Sequence, residues 1–127
     1  MNSKQLSFLG RILFALPFGV IGLHHFFVID FYMGLLTSFI PGGGFTIVLT
    51  GALLVTACIS IIANRYVEIS CFVLAGMLLL FIITIHIPNL LESAEQARFA
   101  FMQIIKDTAL MGGALIIASV NQPVKNK

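Results

Sequence analysis

Charge is what this chain has least of. Only 9% of its 127 residues are charged while 59% are hydrophobic, and the mean hydropathy is +1.07. Soluble domains carry roughly 25% charged residues, so this chain has too little polar surface to coat a globule in water. That shortage excludes an ordinary soluble fold and predicts one integral membrane domain over residues 1–127. The formal net charge is +2 and no basic stripe is present, which excludes nucleic acid as a partner because phosphates could not be neutralised. The two cysteines, Cys58 and Cys71, do not form a CxxC pair. There is no nucleophile elbow, no secure haem-ligand pair across two spans and no internal repeat, so the sequence carries no strong catalytic motif and a small-solute transporter is disfavoured. Three glycines at positions 42–44 lack a following Lys-Ser/Thr pair, which makes them a tight turn and not a phosphate cradle.

What the chain does contain is four apolar runs. A bilayer core of about 30 Å needs roughly 20 helical residues, and spans are expected over about 11–29, 45–63, 69–87 and 101–120. The predicted fold is therefore all-α, an integral membrane four-helix bundle. Residues 1–10 carry only Lys4 and no small-residue cleavage site, so they are expected to be retained. Pro17 should kink the first span mildly, and Pro88 should stop the third. Between the first two spans, Phe31, Leu35, Leu36, Phe39 and Ile40 fall at helical spacing, which predicts a short interfacial or re-entrant segment ended by Pro41. The second and third spans form a hairpin over residues 64–68. Ser93 with Gln96 reads as a capping box for the last helix, which starts near Ala94 and ends before Gln122-Pro123.

An even number of spans puts both termini on one side. Lys4, Arg11, Arg65, Lys125 and Lys127 then share that side, against Arg98 and Lys106 opposite, so the termini are expected to be cytoplasmic. Of the acids only Glu68 lies with the termini.

Ionisable groups inside a span are costly in hydrocarbon and mark functional candidates. His24 and His25 lie about 7 Å inside the outer end of the first span, at about 1.5 Å per residue. His86 lies near the outer end of the third. Lys106 and Asp107 must enter the outer part of the membrane, because the uncharged remainder of the last helix is too short to cross alone. At 100° per residue His25 shares a stripe with Arg11, Phe18 and Gly22, while His24 points nearly opposite, toward the lipid interface. Asp107 shares one with Ala114 and Ala118, and His86 one with Ile82, Leu79 and Ala75. His25, His86 and Asp107 are therefore expected to converge, with Lys106 beside them and Asp30 or Glu92 above. Such a layer reads either as a substrate, quinone or proton-handling site or as a polar plug that fixes helix packing. No metal site is expected, since adjacent histidines diverge on a helix. Cys58 and Cys71 read as reduced packing groups at similar depth. Gly22, Gly51, Gly76 and the pair Gly112-Gly113 predict close helix approach, and spans without a polar face argue against a wide pore.

Taken in order, Arg11, Gly22-Leu23-His24-His25-Phe26, Asp30-Phe31-Tyr32 followed by Pro41, Thr50-Gly51, Thr84-Ile85-His86-Ile87-Pro88, Lys106-Asp107 and Gly112-Gly113-Ala114-Leu115 resemble the DoxX family of small bacterial membrane proteins. The resemblance covers nearly the whole chain, and its form is most similar to members from Bacteroidetes. Many relatives have a second proline four residues before the one matching Pro41, where this chain has Thr37. The resemblance implies a multi-pass inner-membrane protein. Namesake relatives are associated with thiosulfate:quinone oxidoreductase, others with redox-stress complexes, and distant ones act as assembly factors without catalysis. It thus implies either a quinone-linked redox or sulfur-metabolism subunit or a non-catalytic membrane partner of other subunits or of further copies of itself.

Overall fold

The computed structural model describes residues 1–36 and 40–121. Thr37, Phe39 and the stretch from Gln122 through the basic tail, about which the sequence raised expectations, lie outside the described residues.

The long apolar runs wind into helices because little in them competes with the helical backbone, and among the described residues four helices are long and apolar enough to cross a bilayer. The chain is a multi-pass membrane protein surrounded by lipid, and its described part is all-α. Helix α1 runs Ser3–Phe27. It starts earlier than the apolar run because Asn2 and Gln5 close a capping box, with reciprocal bonds of 2.9 and 3.0 Å. It passes unbroken through Pro17, which sits on the exposed face. Val28 leaves the helical region (φ −133°, ψ 56°), and α2 (Ile29–Met33) turns away at a new angle. The longer interfacial helix expected here does not form among the described residues: Gly34 and Leu35 are in a turn and Leu36 is irregular.

Helix α3 (Gly44–Ile62) and α4 (Val67–Phe81) flank a tight turn in which Asn64 and Tyr66 adopt left-handed φ values of 57° and 55°. Helix α4 passes into a π-helical turn, Ile82–His86, then α5 (Ile87–Leu90). Pro88 causes the widening. It has no N–H, and in α-register its ring would collide with the carbonyl four residues back, at Thr84. The chain instead inserts a wider turn in which the Ile87 N–H donates to the Ile82 carbonyl. Pro88 therefore changes the pitch of the third span without ending it, and the span continues over Val67–Leu90. Helix α6 runs Ala94–Val120, its first turn held by Gln96 N–H donating to Ser93 Oγ at 3.3 Å.

In the bundle α1 packs along α3 and α4 along α6, with α3 and α4 joined by their hairpin. Lipid tails are as apolar as leucine, so burial alone gives no driving force between these helices, and close packing must supply it. Gly22 and Gly51 meet backbone to backbone. A Cβ added at Gly22 would lie 2.8 Å from Gly51 O, and one added at Gly51 would lie 2.8 Å from Gly22 O. Gly19, which the glycine pattern did not single out, gives the same room to Cys58 Sγ. Gly113 admits the Phe14 ring from α1. Gly76 and Gly112 correct the expectation: both are exposed, with nothing within 4 Å of an added Cβ. The core beneath these contacts joins all four spans through Ala15, Phe18, Leu54, Ile61, Cys71, Leu74 and Ala114. The terminal end of the bundle holds the N-terminus, the residue 63–66 turn and the end of α6. The loop end holds α2 and α5.

Candidate functional site

Asp107 stands at the middle of α6, thirteen residues from Ala94 and thirteen from Val120. At 1.5 Å per residue it is about 20 Å from the terminal end, which leaves about 10 Å of a 30 Å hydrocarbon layer above it. It is nevertheless 4% exposed. A carboxylate placed there needs partners. His86 is the first: its Nε2–H donates to Asp107 Oδ2 at 3.0 Å, from the last residue of the π-helical turn. Lys106 is the second, with Nζ 3.8 Å from Asp107 Oδ1. The ammonium also donates to Gln103 Oε1, one turn toward the loop end, so the long side chain leans toward the nearer interface. Its side chain stays 57% exposed at the edge of the group.

His86, Asp107 and Lys106 thus come together, while His25 belongs to a second group. No hydrogen bond or ion pair joins it to His86, Lys106 or Asp107 among the described residues. His25 is 7% exposed and faces α3, its Cβ against Gly51. Its Nδ1–H donates to the Ile21 carbonyl at 2.7 Å. A carbonyl can only accept, so Nδ1 carries the proton and Nε2 holds the lone pair of the neutral ring. The stripe drawn for His86 also needs correction, because Leu79 on it is 46% exposed. The π-helical turn adds a residue to the winding, and a constant 100° per residue no longer applies across it.

The sequence did not single out Tyr32, which organises this second group. Its ring stacks on His25, centroids 3.7 Å apart and planes 18° from parallel. Its hydroxyl shares a hydrogen bond of 2.8 Å with His24 Nδ1, so His24 is exposed as expected but engaged, not simply facing lipid. Phe31 closes the cluster edge-on, 5.2 Å from the Tyr32 ring and 6.3 Å from His24. Burial pushes the Tyr32 phenol above its ordinary pKa of 10.0, which keeps it neutral. The signal available in the sequence was a tyrosine eight residues after a His-His pair. Nothing in that spacing showed that Val28 would break the helix and fold the tyrosine back. Asp30 and Glu92 are exposed and make no hydrogen bond to either histidine group among the described residues.

Cys58 and Cys71 are both buried, free and part of the same apolar core. Among the described residues no three His, Cys, Asp or Glu side chains come together as a metal-binding group. At the opposite end of the bundle a cleft of about 360 Å³ is lined by Asn64, Tyr66, Val67, Glu68, Ile69 and Asn121, none of them a candidate residue. Comparison with known protein families, curated proteins and solved structures finds no match for this chain.

Proposed function

We propose that this chain is a DoxX-like subunit of the inner membrane, with cytoplasmic termini, that handles protons for a quinone in a redox or sulfur-oxidising complex. The observation that carries this reading is the buried His86–Asp107 pair about 10 Å below the loop-end surface, an arrangement costly enough in hydrocarbon to need a reason. The residues fit a quinone head group chemically. Such a group brings reversible two-electron reduction and two oxygens that gain and lose protons. In the group beside α3, His25 offers a lone pair at Nε2 to accept one, and in the other group Lys106 offers ammonium protons. His86 and Asp107 stand beside Lys106 as further ligand-contacting candidates, while Asp30 remains on the exposed loop end.

A second reading is a non-catalytic membrane partner that stabilises a larger complex. It is favoured by the fact that Asp107 already has both His86 and Lys106, so the group is charge-compensated without any ligand. One experiment separates the two. The chain and its His86→Gln and Asp107→Asn variants are purified in native lipid, and bound quinone, thermal stability and co-purifying subunits are measured. Quinone retained by the parent and lost from variants of unchanged stability supports the first reading. Absence of quinone from the parent, with stability or subunits lost in the variants, sinks it in favour of the second.

A further inference from the structure

A carboxylate at the middle of a membrane helix can use only the side chain that the facing helix turns toward it, so the winding of the third span decides what Asp107 meets. Leu78, 4% exposed, lies on the buried face of α4 with Cys71 and Leu74. From Leu78, seven residues at about 100° each fall about 20° short of two full turns, so regular α winding returns Ile85 to that face. His86, one residue further on, would stand about 80° away from Leu78. That direction falls between Ala75 and Leu79, and Leu79 is 46% exposed. In a regular helix an isoleucine would therefore face the carboxylate, and the histidine would turn toward the rim of the bundle.

The structure has the reverse arrangement, with His86 Nε2 at 3.0 Å from Asp107 Oδ2. The π-helical turn Ile82–His86 holds one residue more than α winding would, which takes about 100° out of the rotation accumulated by its end. His86 is thereby brought to the direction that Ile85 would otherwise hold. Ile82, the first residue of the turn, is buried, and α5 beyond the turn still packs against α6. The wide turn thus changes which side chain faces α6 without carrying the span away from it. Its cause stands two residues past His86, in the missing N–H and the bulky ring of Pro88.

We infer that Pro88 is the positioning residue of the His86–Asp107 site: through the π-helical turn it selects His86 over Ile85 as the partner of the buried carboxylate. Having no N–H, Pro88 offers Asp107 no hydrogen bond of its own, and it acts through the winding of the backbone. Proton handling at this site, as proposed above, then rests on Pro88 as well as on the pair. The geometry of the pair can be measured whether or not a quinone binds, so positioning by Pro88 and quinone binding stand or fall separately.

The test uses the full chain in lipid, with histidine labelled by nitrogen-15 and aspartate by carbon-13. The chain has three histidines and two aspartates, and Asp30 bonds to neither histidine group among the described residues, so solid-state NMR should show one histidine Nε2 to aspartate Cγ contact, that of His86 with Asp107. Pro88→Ala, free to wind as an α-helix, should lose this contact. Adding Ile85→His and His86→Ile to Pro88→Ala should restore it, because the histidine then occupies the position that α winding turns toward Asp107. The same exchange in a chain that keeps Pro88 should abolish the contact, and this variant carries the test if Pro88→Ala fails to fold. Thermal stability is read in parallel, since a proline that only stiffens the span would change stability and leave the contact in place. Retention of the contact in folded Pro88→Ala overturns the assignment, as does its retention after the exchange in the chain with Pro88. Failure of the exchange to restore it in folded Pro88→Ala overturns the selection of His86 over Ile85.

Discussion

Adding a single methyl group at Gly22 or Gly51 should separate α1 from α3. The new Cβ at Gly22 would stand 2.8 Å from Gly51 O and 2.9 Å from both Leu54 Cβ and Val55 Cγ2, where ordinary contact begins at 3.4 Å. The shortfall to the carbonyl is 3.4 − 2.8, or 0.6 Å, and a backbone oxygen cannot move without its helix. The helices must therefore part by at least that much along the whole seam. Overpacking of this kind costs about 1–3 kcal/mol, and in lipid no hydrophobic pressure closes the gap again. Alanine returns up to about 1 kcal/mol of helix propensity, so with that gain subtracted the net loss should be about 0–2 kcal/mol, against a gain at positions where nothing is met. Gly76→Ala and Gly112→Ala supply the control, since nothing stands within 4 Å of either added Cβ. Those two should be neutral or stabilising by up to about 1 kcal/mol. Unfolding in mixed micelles of increasing denaturing detergent, followed by circular dichroism, gives all four values. Gly51→Ala carries a second consequence, because its Cβ also meets His25 Cβ at 2.8 Å and Phe26 Cε2 at 3.3 Å. It should displace the His25 ring from Tyr32 and change the ring-current shift of the imidazole protons. If the four alanine variants are equally stable, the glycine seam is not what holds α1 to α3.

Tyr32→Phe should keep the stack on His25 but lose the hydrogen bond to His24, and the absorbance titration of the phenols should lose one step. That step should lie above pH 10.0, because burial favours the neutral phenol, so Tyr32's contribution to stability is intact below pH 10.0 and is lost as pH rises through the higher folded value. A phenol step at or below pH 10.0 assigned to Tyr32 by the difference would refute its burial. His86→Gln and Asp107→Asn should each destabilise the bundle, and the double variant should be less destabilised than the sum by about 1–2 kcal/mol. Additive losses in that cycle would show that the 3.0 Å contact contributes nothing as a pair.

Much of the architecture is legible in the residues because lipid is an undemanding solvent to read. A backbone in hydrocarbon must satisfy its own polar groups, so four apolar runs of sufficient length admit little besides four helices. The same logic picked out His86, Asp107 and Lys106, since charge is rare in a span and must find charge. Helical periodicity placed His25 inward and Gly22 against a neighbour. It failed where the helix is irregular. Pro88 reads locally as a stop, yet neighbouring helices and one wide turn absorb the missing hydrogen bond, and the register of the third span shifts with it. The glycines at 22 and 76 look alike in sequence, and only their neighbours distinguish them.

Composition and spacing by themselves determined the class and the number of spans, because both depend on transfer between water and lipid along one helix. Tertiary structure decided which of the charged groups meet. It divided the anticipated layer into His86–Asp107–Lys106 on one seam and His24–Tyr32–His25 on another, because partner choice depends on how helices rotate and cross. It also left Arg11 Nε buried with no acceptor among the described residues, which no pattern along a single helix could have shown.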